Sequence, residues 1–198
     1  GMFGREKIHY IAPAPKRVEE EMARFLQWFN QEENISSVIR SAIAHLWFVS
    51  IHPFEDGNGR LARILSDMLL ARADKSEFRF YNISSQINKD KNHYYQILEK
   101  AQHGDGDLTE WIMWYATTLS VALEEAESVI STILNKSFFW QKVSSATLSQ
   151  RQTDVLNLFL DGYEAKITSK TWASLAKCSR DTAIRDIQDL VAKDILRE

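Results

Sequence analysis

The chain has 198 residues, which is enough for one good-sized hydrophobic core or two small ones. Its net charge of −3 and its 26% of charged residues are those of an ordinary globular protein, so no global field draws it to nucleic acid or to a membrane surface. Cys178 is the single cysteine, which excludes an intrachain disulfide and predicts a reducing, cytoplasmic setting. No stretch approaches the roughly eighteen unbroken apolar residues of a membrane span, and no signal peptide is visible.

Glycine and proline occur at few places, so long segments are free of helix breakers and the sequence predicts a mainly α-helical fold. The segment 5–12 is an exception, because it is β-prone and is followed by Pro13 and Pro15, which predicts a short strand or half hairpin. Apolar residues at helical spacing predict five helices in the first two thirds of the chain, over 18–29, 36–51, 59–69, 89–103 and 108–134.

A cluster of serine and threonine residues predicts a linker over 137–148, between an N-terminal domain over 1–136 and a C-terminal domain over 149–198. Three short helical patterns follow the linker, at 149–161, 168–177 and 179–193. The C-terminal segment resembles the winged-helix family of helix-turn-helix modules, although no fixed motif identifies it. In that family a wing strand would begin near Ile195.

If the C-terminal module binds DNA, four side chains on its third helix would face the groove: Arg180, Thr182, Arg185 and Gln188. However, Asp181, Asp186 and Asp189 share that helix, and acids and bases roughly cancel across the tail. Because a DNA reader is usually basic on one face, we expect weak, salt-sensitive DNA contact at most. The alternative is a helical packing or protein-interaction module.

The loop between the second and third predicted helices reads His52-Pro-Phe-Glu-Asp-Gly-Asn-Gly-Arg-Leu-Ala-Arg63. The third helix begins near Gly59, so its free N–H groups and the positive end of its dipole face the loop. Gly57 and Gly59 let the backbone approach a bound group closely. Together these features predict an anion site.

Charged side chains of the same loop complete the requirements for phosphoryl or nucleotidyl transfer. Arg60 and Arg63 lie one helical turn apart and can clamp a phosphate from two sides. Asp56 offers the carboxylate that Mg²⁺ prefers in company with phosphates, and His52 can serve as general base at neutral pH. The alternative is a capped loop with a core histidine and two solvated arginines, which leaves every one of these residues to be explained separately.

This loop resembles the signature of the Fic (filamentation induced by cAMP) family, H-P-F-x-[DE]-G-N-G-R-x-x-R, and matches every fixed position. The resemblance extends from about residue 5 to about residue 130. It implies a Fic-type helical core that transfers AMP from ATP, with Mg²⁺, to a Ser, Thr or Tyr hydroxyl of a target protein. It also implies that His52 takes the proton of that hydroxyl and that Asp56 binds the Mg²⁺.

The resemblance assigns the rest of the motif to the nucleotide's phosphates, through backbone amides and side chains: Gly57, Asn58, Gly59, Arg60, Leu61, Ala62 and Arg63. Within this set, Arg60 would stabilise the leaving diphosphate and Arg63 would orient the γ-phosphate. The side chain of Asn58 would help to bind the phosphates, and Phe54 would anchor the loop in the core.

Two outlying segments resemble further parts of the family. The first falls where Fic proteins place a β-flap that holds the target by strand addition and covers the nucleotide, and it consists of Lys7, Ile8, His9 and Tyr10. An ordinary edge strand is the alternative there. In the second, Tyr94 and Tyr95 followed by Gln102 resemble a Tyr-Tyr…Asn arrangement that lines the adenosine pocket, with Gln102 in place of the usual Asn. Either tyrosine could instead be a core residue.

Many Fic proteins carry an inhibitory helix, [ST]-x-x-x-E-[GN], whose Glu pairs with the second arginine of the motif. The sequence holds no convincing copy, since Ser120-Val-Ala-Leu-Glu124 is followed by Glu125. We expect that such a helix, if the protein uses one, precedes Gly1 or belongs to a partner.

The leading hypothesis is therefore a protein adenylyltransferase of unknown target and oligomeric state, with no membrane partner. Two alternatives stay open. One is a DNA-binding regulator whose Fic core senses nucleotide. The other is a Fic enzyme that removes AMP or transfers another nucleotide.

Overall fold

The computed structural model describes residues 10–31, 34–74 and 80–197. This part of the chain contains helices and no strand, which confirms the mainly α-helical prediction. In chain order the helices are α1 (Pro15–Asn30), α2 (Ser37–Ile51), α3 (Asn58–Asp74), α4 (Ile83–Lys89), α5 (Lys91–His103), α6 (Thr109–Lys142), α7 (Gln150–Leu160), α8 (Ser169–Ala176) and α9 (Arg180–Ala192). None of the described helices is both long enough and apolar enough to span a membrane.

The chain divides into two compact units, Gly1–Ala126 and Glu127–Glu198. The division falls inside α6, which continues without interruption to Lys142. The linker predicted over 137–148 therefore begins within a helix, and only 143–149 is turn and coil before α7. The clustered serine and threonine residues at 144–149 mark this turn, and Ser137 lies in the helix because its neighbours favour helix.

In the first unit α2 is the central helix, because it is buried on nearly all sides. Ala42 and Ala44 are fully buried and let neighbouring helices approach closely. The indole of Trp111, on α6, donates its N–H to the Ala42 carbonyl oxygen at 2.8 Å. The Ser41 hydroxyl donates to the Ser66 carbonyl oxygen at 2.9 Å and ties α2 to α3. These contacts fix α2 on two sides, and so they fix the position of His52, which directly follows the helix.

The second unit has its own apolar core, formed by Val155, Leu156, Trp172, Ala183 and Leu190. Each of α7, α8 and α9 begins with a hydroxyl N-cap that accepts a backbone N–H three residues on, and these caps are Ser149, Thr168 and Ser179. Caps of this kind satisfy one of the free N–H groups at a helix start. The three predicted helices of the tail are therefore present in this unit.

Two predicted β features lack a strand in the described part of the chain. The predicted flap over 5–12 lies largely outside the described residues, which include only its last three, and Tyr10–Ala12 is coil. The predicted wing near Ile195 is replaced by a turn up to Arg197. There the Ile195 N–H donates to the Leu190 carbonyl oxygen at 2.9 Å, and Asp194 has a positive φ of 52°. A closing turn of this type packs Ile195 against the core of the unit.

Candidate active site

His52 stands at the point where α2 ends. It has left-handed backbone angles, φ 52° and ψ 55°, and its N–H donates to the Phe48 carbonyl oxygen at 3.2 Å. Pro53 follows and cannot continue the helix hydrogen bonding. The left-handed turn aims an exposed imidazole out of a helix whose body is buried. A positive φ in a non-glycine residue is uncommon and costs about 1 kcal/mol, so the surrounding fold must impose it.

The loop after His52 is closed by a two-way clamp. The Asn58 side chain accepts the Phe54 N–H at 3.1 Å and donates to the Phe54 carbonyl oxygen at 2.6 Å. Asn58 is buried, and its amide is engaged with the loop itself. The side chain that the motif resemblance assigned to the phosphates thus holds the backbone of the loop at Phe54. Phe54, expected to anchor the loop in the core, is 51% exposed, and its ring centroid lies 6.5 Å from that of Phe48.

The acidic residue of the loop is solvent-exposed and paired. Asp56 has 91% of its side chain exposed, accepts the Gly57 N–H at 2.7 Å and pairs with the Arg60 guanidinium at 2.9 Å. Gly57 has φ +87°, a conformation that strains any residue with a Cβ atom. The described residues contain no group of three or more His, Cys, Asp or Glu side chains that could hold a metal by themselves.

A cavity of about 340 Å³ opens beside His52 and is bounded by the start of α3 and by α5. Its lining residues come from four parts of the first unit: Tyr10, Ala12, Val49, His52, Gly59, Arg63, Tyr94, Tyr95, Leu98 and Gln102. Arg63 is half-buried in this wall, one turn below the helix start. The cavity therefore joins an imidazole, a helix N-terminus and a guanidinium at one end to an aromatic and apolar wall at the other.

The structure brings together only part of the predicted set. His52, Gly59, Arg63, both tyrosines and Gln102 line the cavity, as does Tyr10. The other predicted site residues of the motif do not line the cavity: Asp56, Gly57, Asn58, Arg60, Leu61 and Ala62. Ala62 is fully buried in the core and Leu61 is partly exposed, because both lie on other faces of α3. Lys7, Ile8 and His9 lie outside the described residues.

The two tyrosines have different environments. Tyr94 is buried, with its hydroxyl 3.1 Å from Nε2 of His45, whereas Tyr95 is 53% exposed. Burial raises the pKa of Tyr94 to about 12, with the charge of Arg63 acting in the opposite direction. Burial and, to a smaller extent, the charge of Arg63 lower the pKa of His45 to about 3. Tyr94 is thus both a core residue and a wall of the cavity.

The sequence interpretation missed several residues of the site. Val49 lies three residues before His52 on α2, and Leu98 lies four after Tyr94 on α5, so helical spacing could have found both. Ser50 accepts the Gln102 side-chain N–H at 3.0 Å and fixes that amide at the cavity wall. Only the packing of α5 against α2 reveals the contact between Ser50 and Gln102.

In the second unit, two acids of α9 that the sequence analysis set against DNA binding, Asp186 and Asp189, have partners within the unit. Asp186 is buried and forms a two-pronged pair with Arg151, with N–O distances of 2.7 and 2.8 Å. The Trp172 indole N–H also donates to it, at 3.2 Å. Asp189 pairs with Lys193 at 2.6 Å and accepts from Gln152 at 2.8 Å.

Of the four residues predicted to face DNA, three are exposed, namely Arg180, Arg185 and Gln188. The fourth, Thr182, is half-buried and donates its backbone N–H to the Ser179 N-cap. Because Asp186 points inward and Asp189 is paired, these two acids do not oppose the bases on the outer face of α9.

Residues 2–70 match the model of the Fic/DOC family. The chain therefore contains a Fic/DOC family domain. The matched range includes the whole 52–63 loop, all of α2 and α3 as far as residue 70. A solved Fic family protein from Desulfovibrio desulfuricans G20 has a similar fold, with a TM-score of 0.57 and 21% identity, over 97% of this chain and 53% of that one.

Two relatives of this domain have the name protein adenylyltransferase Fic. The protein of Nematostella vectensis is 36% identical over 98 residues, which are 48% of this chain and 22% of that protein. The protein of Drosophila melanogaster is 36% identical over 110 residues, which are 53% of this chain and 21% of that protein. This chain thus spans about a fifth of the length of the curated relatives it matches.

Proposed function

We propose that this chain is a protein adenylyltransferase, which moves AMP from ATP to a hydroxyl side chain of a target protein. The observation that most directly supports this proposal is the cavity, in which His52, the start of α3 at Gly59 and the Arg63 guanidinium lie at one end of a tyrosine-lined wall. The names of the relatives support the same activity.

The chemistry divides the cavity into two ends. Phosphates would lie at the end formed by Gly59 and Arg63, since helix N-termini and guanidinium groups both attract anions. The nucleoside would lie along Tyr95, Leu98 and Gln102, which offer an aromatic face, an apolar side chain and a fixed amide. This arrangement leaves the α-phosphate near His52.

In the reaction, the target hydroxyl oxygen forms a bond to the α-phosphorus, and the bond to the bridging oxygen of the β-phosphate breaks. AMP stays on the target and pyrophosphate leaves. His52 accepts the hydroxyl proton on a ring nitrogen, a role that its exposed position at the end of α2 permits. Arg63 holds negative charge on the departing phosphates.

The residues present fit Mg²⁺. Asp56 is an exposed carboxylate with lone pairs beyond those used by Gly57 and Arg60, and Mg²⁺ commonly takes one or two carboxylates together with substrate phosphates. Asp56 would hold the ion, and the ion would neutralise phosphate charge. Its arrival would replace the exposed pair with Arg60, which costs little because exposed pairs contribute about 0–1 kcal/mol.

The test uses ATP labelled on the α-phosphate or on the γ-phosphate, mixed with a lysate of the host. We expect a protein band labelled from α-labelled ATP only. His52→Asn should abolish the band and leave ATP binding within about twofold, because the base acts on the target and because Asn tolerates the left-handed backbone. Equal labelling by parent and variant would exclude His52 as the base. Labelling from γ-labelled ATP would indicate phosphorylation instead.

Two alternatives within the same site are outcomes of this experiment. Transfer of another nucleotide would label the band from α-labelled CTP, GTP or UTP in preference to ATP. Removal of AMP would release label from a protein band that had been labelled beforehand.

A second function, DNA contact by the tail, is favoured by one observation. Of the three acids that argued against it, Asp186 and Asp189 are engaged in ion pairs and hydrogen bonds, whereas Asp181 is exposed. Arg185 and Gln188 remain exposed on α9. We propose weak, salt-sensitive binding, which Arg185→Ala should reduce severalfold in a gel shift, while Lys142→Ala on α6 should not. Tight sequence-specific binding would make the DNA-binding regulator the leading function. The part of the β-flap that lies outside the described residues and the cytoplasmic location stay predictions.

A further inference from the structure

His45 is a fully buried imidazole that lies next to the cavity without lining it. It precedes His52 by two helical turns on α2, and its Nε2 atom is 3.1 Å from the Tyr94 hydroxyl oxygen. Its other nitrogen, Nδ1, is buried and has no hydrogen-bond partner among the described residues. Aromatic rings surround it, with centroids at 5.5 Å for Trp111, 5.8 Å for Tyr94 and 6.2 Å for Tyr115.

This environment keeps the imidazole neutral at physiological pH, because burial disfavours the charged form and lowers the pKa of His45 to about 3. A neutral imidazole carries its hydrogen on one nitrogen only. If Nδ1 carried it, a donor would be buried without an acceptor, which is costly. If Nε2 carries it, that hydrogen is donated to the Tyr94 oxygen and only a bare acceptor is left unpaired. The second tautomer is therefore the favoured one.

The tautomer decides what Tyr94 can do. When its oxygen accepts from His45, the phenolic hydrogen is not used in that bond. Within the described ranges, His45 is the hydroxyl's hydrogen-bond partner. Tyr94 lines the cavity together with Arg63, whose charge influences both Tyr94 and His45. The hydroxyl therefore lies within electrostatic reach of the guanidinium that attracts anions.

We propose that His45 is a positioning residue, which as the Nε2–H tautomer fixes the Tyr94 hydroxyl as a hydrogen-bond donor to an acceptor oxygen of the bound nucleotide. The part of this proposal that concerns the nucleotide rests on the proposed function, whereas the tautomer of His45 does not depend on it. Neither His45 nor Tyr94 takes part in a covalent step.

The first experiment measures the tautomer on the parent chain without nucleotide. Long-range proton–nitrogen NMR of the imidazole ring should show a protonated Nε2 and a bare Nδ1 for His45, unchanged between about pH 5 and pH 8. His45→Leu identifies the signals by their loss. A protonated Nδ1, or titration in this range, would overturn the proposal whatever the protein does with ATP.

The second experiment measures ATP affinity by calorimetry. Tyr94→Phe and His45→Leu should each weaken binding about three- to tenfold, the effect of one neutral hydrogen bond. The double variant should be no weaker than Tyr94→Phe, because both changes remove the same donor. His45→Gln, which can still donate from the position of Nε2, should recover most of the affinity.

A matched control separates positioning from packing. Tyr115 is a buried tyrosine of the same aromatic cluster, its hydroxyl is 2.6 Å from the Ser41 hydroxyl, and it does not line the cavity. Tyr115→Phe should lower the melting temperature and leave ATP affinity unchanged. Additive losses for His45 and Tyr94, or no loss with Tyr94→Phe, would overturn the proposal. Absence of ATP binding by the parent would instead overturn the proposed function, while the NMR result would still stand.

Discussion

Asn58 and Phe54 are joined by two hydrogen bonds that use both polar ends of one side-chain amide, at 3.1 Å from the Phe54 N–H and 2.6 Å to its carbonyl oxygen. The pair closes the loop between His52 and α3 into a ring. Since His52 precedes this ring and Gly59 follows it, the clamp sets the distance between His52 and the helix N-terminus. The role of Asn58 is thus to shape the loop.

Removal of the clamp should cost both stability and activity. Asn58→Ala leaves two backbone groups of Phe54 without these partners, so we expect a loss of about 2 kcal/mol in the free energy of unfolding. We also expect a fall in transfer on the order of tenfold or more, because the reacting groups lose their alignment. Denaturant unfolding and label transfer measure the two effects. Asn88→Ala, at an exposed position of α4, is the control and should change stability by less than about 0.5 kcal/mol.

The variant Gly59→Ala should have different effects on stability and on ATP affinity. A Cβ atom at Gly59 would lie 3.8 Å from the Arg63 guanidinium, which is an ordinary contact, and alanine favours a helix by up to about 1 kcal/mol. Stability should be kept or raised. ATP affinity should fall severalfold, because the methyl group occupies the cavity wall where phosphate is expected.

The reverse pattern is expected at Gly162, which has φ +94° and no atom within 4 Å of an added Cβ. Gly162→Ala should lower stability by about 1 kcal/mol through backbone strain and leave ATP affinity unchanged. Unchanged affinity in Gly59→Ala would argue against phosphate at the start of α3.

Mg²⁺ should strengthen ATP binding through Asp56. Calorimetry with and without Mg²⁺ should show a gain in the parent chain that Asp56→Ala largely removes. Glu55→Ala is the matched control, since Glu55 is the adjacent exposed acid, and it should keep the gain. Equal ATP affinities with and without Mg²⁺ in the parent would exclude a Mg²⁺–nucleotide site at this loop.

The buried pair of Asp186 and Arg151 should make the second unit sensitive to acid. The hydrogen bonds from Arg151 hold the pKa of the Asp186 carboxyl below its usual value, with a smaller contribution from Trp172. A carboxyl whose pKa is lower in the folded state stabilises the fold above its unfolded pKa. That contribution disappears as pH falls through the folded pKa, so stability should decline below about pH 4.

The variant Asp186→Asn tests whether this ion pair causes the sensitivity of the second unit to acid. The substitution removes the negative charge to which Arg151 and the Trp172 indole both donate hydrogen bonds. We therefore expect the free energy of unfolding to fall by about 2–3 kcal/mol at neutral pH. The substitution should also weaken the decline in acid. Denaturant unfolding followed by circular dichroism at several pH values measures both effects. An acid profile identical to that of the parent would assign the sensitivity to other carboxyls.

The sequence by itself predicted every helix of the first unit except α4, and it identified the Fic domain. Apolar spacing gave α2 and α3, Pro53 ended one of them, and the glycines of the loop marked a backbone that approaches a ligand. These are local properties, since each depends on residues within a few turns. The fixed spacing of the 52–63 loop identified the Fic domain for the same reason, and the 2–70 match confirms it.

Only the tertiary structure decided which side chains of that loop face the cavity. Arg60 and Arg63 are equivalent in the sequence, yet one pairs with exposed Asp56 and the other lines the wall beside Tyr94. Tyr94 and Tyr95 are neighbours, yet one is buried against His45 and the other is exposed. The environments of Arg63, Tyr94 and Tyr95 depend on how α5 packs against α2, because helical periodicity fixes the angle between side chains but not the helix that will lie opposite.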